Sequence, residues 1–239
     1  MKYLDLSFAD PAANLACDEA LLDLFETGKR SDEILRVWES PIYFIVLGHS
    51  NRWSSEISCS AALGQKIALL RRVSGGGAVV QGPGCLNYAL VLDSQRRDLA
   101  NVRETFRHVL RRHAGVVESL SGMEASIQGI SDLTANGRKF SGNAQYRKSR
   151  FVLVHGTFLL NFELSLIAQC LKIPPRQPDY RRNRPHLEFI ANLNIEAARL
   201  RDALRIAWRA EEPFIAIPLR RIRTLMDQRY NQDTWTRKF

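Results

Sequence analysis

The stretch RRVSGGGAVVQGPGCLNY, residues 71–88, sets three successive glycines just after an expected strand over 67–72. Three glycines in series carry a high conformational-entropy cost, which makes sense where a backbone must pass close to a ligand. Such a backbone can aim its N–H groups at phosphate oxygens. Arg71 and Arg72 stand just before the bend, where a guanidinium adds charge-assisted bonds to the same anion. Gly82-Pro83-Gly84 brings a second turn toward that face. The pattern is not a Walker A loop, since no Gly-Lys-Ser/Thr follows, and not a dinucleotide fingerprint, since no helix opens after it. Taken alone it also suits a plain glycine-rich hairpin.

A second segment, GISDLTANGRKFSGNAQ (129–145), places Lys139 just past an Asn136-Gly137 turn, beside the small residues Ser141 and Gly142. A lysine so held can point into a cleft, where its ammonium would stabilise charge on a carbonyl or phosphoryl oxygen. The ordinary alternative is a solvated lysine. Asp132 is a nearby carboxylate suited to Mg²⁺ shared with phosphate oxygens, or simply a turn aspartate. A third segment, His155-Gly156-Thr157, interrupts the apolar run FVLVHGTFLL. A histidine there is more often a hydrogen-bonded core residue than a catalyst, and Gly156 signals that another backbone or a ligand comes close.

These segments need a scaffold. Asp10-Pro11 reads as a helix start, with an apolar face through Leu15, Leu21, Leu22 and Phe25 ending at Gly28. Strands are expected over 34–38, 42–47, 67–72 and 86–92, a polar helix over 54–64, and a helix over 102–113. Two short strands flank Asn136-Gly137, which suits a type I′ hairpin. The 151–160 strand is too apolar for an edge and is expected at the sheet centre. Helices at 163–171 and 195–209 flank a Pro- and Arg-rich loop, 174–185, and an amphipathic helix at 219–230 leads to the tail NQDTWTRKF. Hairpins and irregular loops, not βα repeats, connect the strands. The expected fold class is α+β: a mixed, largely antiparallel sheet flanked by helices.

The 239 residues, 45% hydrophobic and 25% charged, suit one domain with an ample core. No apolar run approaches the roughly 20 residues of a membrane span, and the acidic N-terminus does not read as a secretory signal. A cytoplasmic location is expected. Cys17, Cys59, Cys85 and Cys170 form no CxxC pair, which argues against structural zinc or a disulfide framework. The net charge of +9 favours an acidic partner, either nucleic acid or protein.

RRVSGGGAV, NGRKFSGNAQ and HGTFLLN, in this order, resemble the lipoate–protein ligase A group of the biotin/lipoate ligase superfamily. The resemblance spans about 3–209 and includes NLACDEALL and VLGHSN. It implies one biotin/lipoate ligase-like (class II synthetase-like) catalytic domain over 1–239, with 210–239 as a C-terminal helix and tail. It also implies ATP and Mg²⁺ as cofactors, lipoate as substrate, and formation of lipoyl-AMP followed by attack of an acceptor lysine. In this picture Arg71, Arg72, Ser74, Gly75, Gly76, Gly77 and Ala78 wrap the acyl-adenylate. Lys139 contacts the acyl carbonyl and the phosphate. His155, Gly156 and Thr157 border the nucleotide, and Gly48 to Asn51 lies near the acyl pocket, with His49 and Ser50 departing from the commoner residues. Asn87, Ser141 and Gly142 complete the binding set, and Asp132 is the metal or phosphate position. The implied partner is an acidic lipoyl domain of the 2-oxoacid dehydrogenase or glycine cleavage H protein type.

Longer members carry a C-terminal accessory domain, whereas some thirty residues follow residue 210 here. A separate accessory subunit, or transfer chemistry alone, is therefore an expected alternative. The main rival is a cysteine-dependent octanoyl- or lipoyltransferase, since GPGCL resembles the GPGQL of one such group. Against it, Cys170 lies in LIAQCLKI without the Pro-Cys-Gly context, and MEASIQGISD has no cysteine. Cys85 stays as a candidate thiol, more often inert packing. Biotin ligation lacks its GRGR-type loop. A non-catalytic nucleic-acid-binding protein would use Arg176, Arg181, Arg182 and Arg184, but the acyl-adenylate motifs make nucleic acid the weaker partner.

Overall fold

The computed structural model describes residues 1–28, 32–58 and 67–239. The first half forms β1 (Lys2–Asp5), α1 (Pro11–Thr27), β2 (Ile34–Trp38), β3 (Phe44–Leu47), α2 (Trp53–Glu56), β4 (Ala68–Arg71), β5 (Val79–Gln81), β6 (Cys85–Asp93) and α3 (Val102–Ser121). The second half forms β7 (Ser126–Gln128), β8 (Asp132–Ala135), β9 (Arg138–Arg147), β10 (Phe151–Leu159), α4 (Leu164–Cys170), α5 (His186–Phe189), α6 (Ala197–Ala207), β11 (Glu212–Pro213), α7 (Leu219–Leu225) and α8 (Asp233–Thr236).

The larger sheet runs β11-β1-β2-β6-β10-β9-β8-β7, with β1 parallel to β2 and β11 and the other pairs antiparallel. The smaller runs β4-β3-β5. The expected mixed, largely antiparallel architecture is thus the one found. Strands β6 and β10 lie at its centre because helices cover both faces, so both sets of alternating side chains are apolar. Val91 and Leu153 join α1 and α7 on one side. Leu90 and Val154 join α3 and α6 on the other.

Helix α1 begins as the sequence predicts: Asp10 Oδ1 accepts from the Ala12 N–H at 2.8 Å, and Pro11 occupies the first turn. It is enclosed on nearly every side, so its polar residues need partners. Asp18 pairs with the fully buried Arg36 of β2 at 2.5 Å, and Glu19 accepts from the Tyr230 hydroxyl at 2.8 Å. Helix α3 runs past the expected 113 to Ser121, because Val116 and Val117 continue its buried stripe until Gly122 caps it at φ 69°. The helix expected over 54–64 is represented by α2 alone; positions 59–66, Cys59 among them, lie outside the described residues. No described helix is long and apolar enough to cross a membrane.

The Asn136-Gly137 turn has φ 50° and 71°, as a type I′ hairpin requires. Gly137→Ala should therefore cost about 1–2 kcal/mol, since the left-handed region strains an L side chain. Urea unfolding should show this as a lower midpoint with an unchanged slope.

Candidate active site

A cavity of about 730 Å³ lies where the glycine bend, the β8–β9 hairpin, β10 and the 174–181 segment meet. That volume falls within the roughly 300–1,000 Å³ common for small-molecule sites. Gly76, Gly77, Ala78, Lys139, Ser141, Gly142, His155, Gly156, Thr157, Asn87, Asp132 and Arg72 line it. The three segments singled out in the sequence therefore converge on one space.

The bend is shaped from behind. Arg72 is buried, and its Nη2 donates to the carbonyls of Gly75 at 2.6 Å and Gly77 at 3.0 Å. Burial lowers its pKa to about 10, opposed by the charge of Glu56, so it remains a cation at neutral pH. Glu56 takes the Ala78 N–H at 3.1 Å and the Asn51 amide at 2.7 Å. A trans peptide points its N–H opposite its carbonyl. Fixing the Gly75 carbonyl on Arg72 thus turns the Gly76 N–H away from it, and among the described residues no protein group accepts the N–H of Gly76 or Gly77. The bend is a nest of orphan donors suited to an anion.

In this geometry several of the residues expected at the acyl-adenylate hold neighbouring backbone as well as, or instead of, bordering the cavity. Arg72 chiefly holds the bend's carbonyls. Arg71 does not line the cavity: its guanidinium is spent on the carbonyls of Gly48 (2.7 Å), Asn51 (2.8 Å) and Thr236 (2.7 Å), and so ties the C-terminal segment to the 48–51 loop. Gly48 and Asn51 also stay outside the lining, because they buttress the bend; a Cβ on Gly48 would lie 1.9 Å from the Gly76 oxygen. Ser74 and Gly75 stay outside it as well, with Ser74 Oγ 2.6 Å from His155 Nε2.

Lys139 reaches the cavity through an irregularity. Between Leu133↔Ser141 and Thr134↔Lys139 the ladder slips by one residue, a bulge at Phe140 that re-aims the side chain beside it. The Lys139 ammonium lies 2.7 Å from Asp132 Oδ1, and Asp132 Oδ2 accepts from the Tyr180 hydroxyl at 2.7 Å. Gly142 makes room for this pair, since a Cβ there would lie 2.8 Å from Nζ. Asp132 is therefore the counter-ion of Lys139. A preformed magnesium site does not fit these residues: both carboxylate oxygens are engaged, and no described cluster of three His, Cys, Asp or Glu residues could hold a metal.

On β10, His155 is fixed between Ser74 and the buried Asp18, whose Oδ2 lies 3.6 Å from Nδ1. At Gly156 the Asn143 side chain comes close, with its Oδ1 1.9 Å from where a Cβ would stand. Asn143 in turn accepts from the Tyr88 hydroxyl at 2.6 Å. Trp38 Nε1 and Gln81 Oε1 are buried and find no partner among the described residues, and both residues line the cavity. Buried orphan atoms of this kind suit a site that receives a ligand. Sequence reading missed Asp18, Trp38, Glu56, Tyr88, Asn143 and Tyr180. Asp18, Tyr88 and Asn143 stand inside the quoted segments and Trp38, Glu56 and Tyr180 outside them, but all six are ordinary residue types that only the fold brings to the cavity.

Cys17, Cys85 and Cys170 are buried free thiols. Burial pushes Cys17 up to about 11 and raises Cys85 further still. None of the three lines the cavity. A thiol of this kind is a poor nucleophile.

The family model for the lipoyl protein ligase A/B catalytic domain matches residues 10–204. A probable lipoate–protein ligase A of Mycoplasma pneumoniae is 32% identical over 164 residues, which cover 68% of this chain and 46% of that protein. The octanoyltransferase LipM of Oceanobacillus iheyensis is 26% identical over 211 residues, covering 81% of this chain and 76% of that protein. The chain spans about half the length of the curated lipoate–protein ligases it matches. Among solved structures, the bi-partite lipoate protein ligase of Thermoplasma acidophilum shares the fold at a TM-score of 0.84 and 22% identity, covering 99% of this chain and 95% of that one. With residues 10–204 matched, this chain belongs to the lipoyl protein ligase A/B catalytic-domain family.

Proposed function

We propose that this chain, acting as one catalytic domain, activates lipoate or octanoate with ATP as an acyl-adenylate and passes the acyl group to a lysine of a lipoyl domain. One arrangement supports this most: Lys139 and the orphan N–H groups of Gly76 and Gly77 border a single cavity. In the first step the carboxylate of the acid attacks the α-phosphate of ATP and pyrophosphate leaves. In the second an acceptor amine attacks the acyl carbonyl, AMP leaves, and the amine gives up a proton. The bend N–H groups hold the α-phosphate, and the Lys139 ammonium steadies negative charge on the phosphate and carbonyl oxygens. Ser141, Gly142, Asn87, Thr157 and His155 shape the walls, so positioning and charge carry the catalysis.

Mg²⁺ would enter with ATP, neutralising its charge while held mainly by phosphate oxygens and water. Asp132 would join it only by releasing Lys139 or Tyr180. The +9 net charge suits acidic acceptors of the 2-oxoacid dehydrogenase or glycine cleavage H protein type, and use of ATP suits a cytoplasmic setting. A separate accessory subunit completing the first step is in keeping with the bi-partite description of the Thermoplasma acidophilum neighbour.

The test is to mix the purified chain with ATP, Mg²⁺ and lipoate and measure pyrophosphate release, then to supply preformed lipoyl-AMP with an acceptor lipoyl domain and follow transfer by mass spectrometry. Transfer without pyrophosphate release would assign the first step to a second subunit. Absence of both signals would refute the reading.

The second reading, a cysteine-dependent octanoyltransferase, is favoured by the 76% of the LipM relative that the chain covers. The burial of the three described thiols, Cys17, Cys85 and Cys170, speaks against it. Cys85→Ala should keep acyl transfer within about threefold of the parent. An acyl adduct on any cysteine after incubation with an octanoyl acceptor would support the second reading.

A further inference from the structure

The Pro- and Arg-rich 174–185 segment is fastened to the hairpin that carries Lys139. Arg184 donates from Nη1 to the Gly137 carbonyl at the hairpin tip (3.0 Å) and from Nη2 to the Tyr180 carbonyl (3.0 Å). The Tyr180 ring packs on Phe189 at 5.3 Å, and the Arg181 guanidinium covers Phe189 at 4.6 Å. Next to that helix end the Ala191 N–H donates to the Lys139 carbonyl at 2.9 Å. Tyr180 is thus a rigid post whose hydroxyl stands 2.7 Å from Asp132 Oδ2, while Lys139 holds Oδ1. Burial and the Asp132 charge push the phenol far above its usual range, so it stays a donor.

We propose that Tyr180 is a positioning residue for Lys139: by occupying Oδ2 of Asp132 it confines the ammonium to a single carboxylate oxygen and leaves its other protons free for an acyl-adenylate. An ammonium has three donors, and a carboxylate with both oxygens open can chelate it. Without the phenol hydroxyl, Asp132 would draw Lys139 into a two-oxygen grip and away from the cavity. The substrate in this inference rests on the ligase reading above; the coupling between Tyr180, Asp132 and Lys139 does not.

Tyr180→Phe keeps the ring packing and removes only the hydroxyl. Labelling of Lys139 by an acetyl N-hydroxysuccinimide ester, mapped by peptide mass spectrometry, should slow about tenfold, the scale of one hydrogen bond to a charged group. Acyl transfer should fall by about the same factor in kcat with little change in KM for ATP. Adding Asp132→Asn to Tyr180→Phe should restore Lys139 labelling, because the amide offers one neutral acceptor in place of a chelating carboxylate. A merely loosened 174–185 segment would expose Lys139 and speed its labelling. Unchanged or faster labelling in Tyr180→Phe, or no recovery in the double variant, overturns the proposal. If labelling follows the expected pattern while the parent protein transfers no acyl group, the positioning role stands and the ligase reading falls.

Discussion

Lys139→Ala should reduce lipoyl transfer to an acceptor domain by about a thousandfold, the scale of losing one preorganised donor to developing oxyanion charge. The fold should survive, because the Lys139 side chain lies at the cavity wall in contact with Asp132 and the core neighbour Phe140 keeps its place. Thermal unfolding and mass spectrometry of the acceptor would check the two halves of this expectation. The substitution also strips Asp132 of its cation, and an unpaired carboxylate would repel an incoming phosphate. Lys139→Ala combined with Asp132→Asn separates the effects: if Lys139 stabilises the reacting oxygens itself, the double variant stays inactive. Recovery in the double variant would mean that Lys139 serves only to neutralise Asp132.

Gly76→Val should weaken a non-hydrolysable lipoyl-adenylate analogue by about a hundredfold, the scale of losing two charge-assisted hydrogen bonds. Gly76 sits at φ 92°, and a Cβ there would lie 2.8 Å from the Arg72 guanidinium. The valine must therefore turn the peptide, and the orphan N–H groups lose their common direction. Gly75 is the control, since a Cβ on it meets nothing within 4 Å. Gly75→Ala should bind the analogue nearly as well as the parent. Equal losses at both positions in calorimetry would show that the bend needs general flexibility and not a particular N–H geometry.

The features legible in the sequence were those with local physical signatures. Asp10-Pro11 announced α1, Asn136-Gly137 announced its hairpin, and the strongly apolar run 151–160 announced a central strand. Strand β9 proved longer than the short strand expected beside that turn, because its second half carries small and polar residues, Ser141 to Ala144 at the cavity and Gln145 and Arg147 bonded toward α3, which break the apolar alternation. The parallel β11-β1-β2 edge could not be read, since β11 is two residues long and joins β1 only through the tertiary fold. At the site, the motif glycines and Lys139 were visible because their chemistry is unusual for their setting. The division of labour between the paired arginines was not: Arg71 and Arg72 are neighbours in sequence, yet one holds the tail and the other holds the bend. For Asp132 the sequence left a metal position and a turn aspartate both open, and its partner Tyr180 lies 48 residues on.

The most direct measurement is a crystal structure of the chain with a non-hydrolysable lipoyl-adenylate. The phosphate should lie within hydrogen-bonding distance of the Gly76 and Gly77 N–H groups, with the Lys139 ammonium on the phosphate and acyl oxygens. An adenylate seated away from the bend, or a Lys139 that touches neither oxygen, would contradict the account.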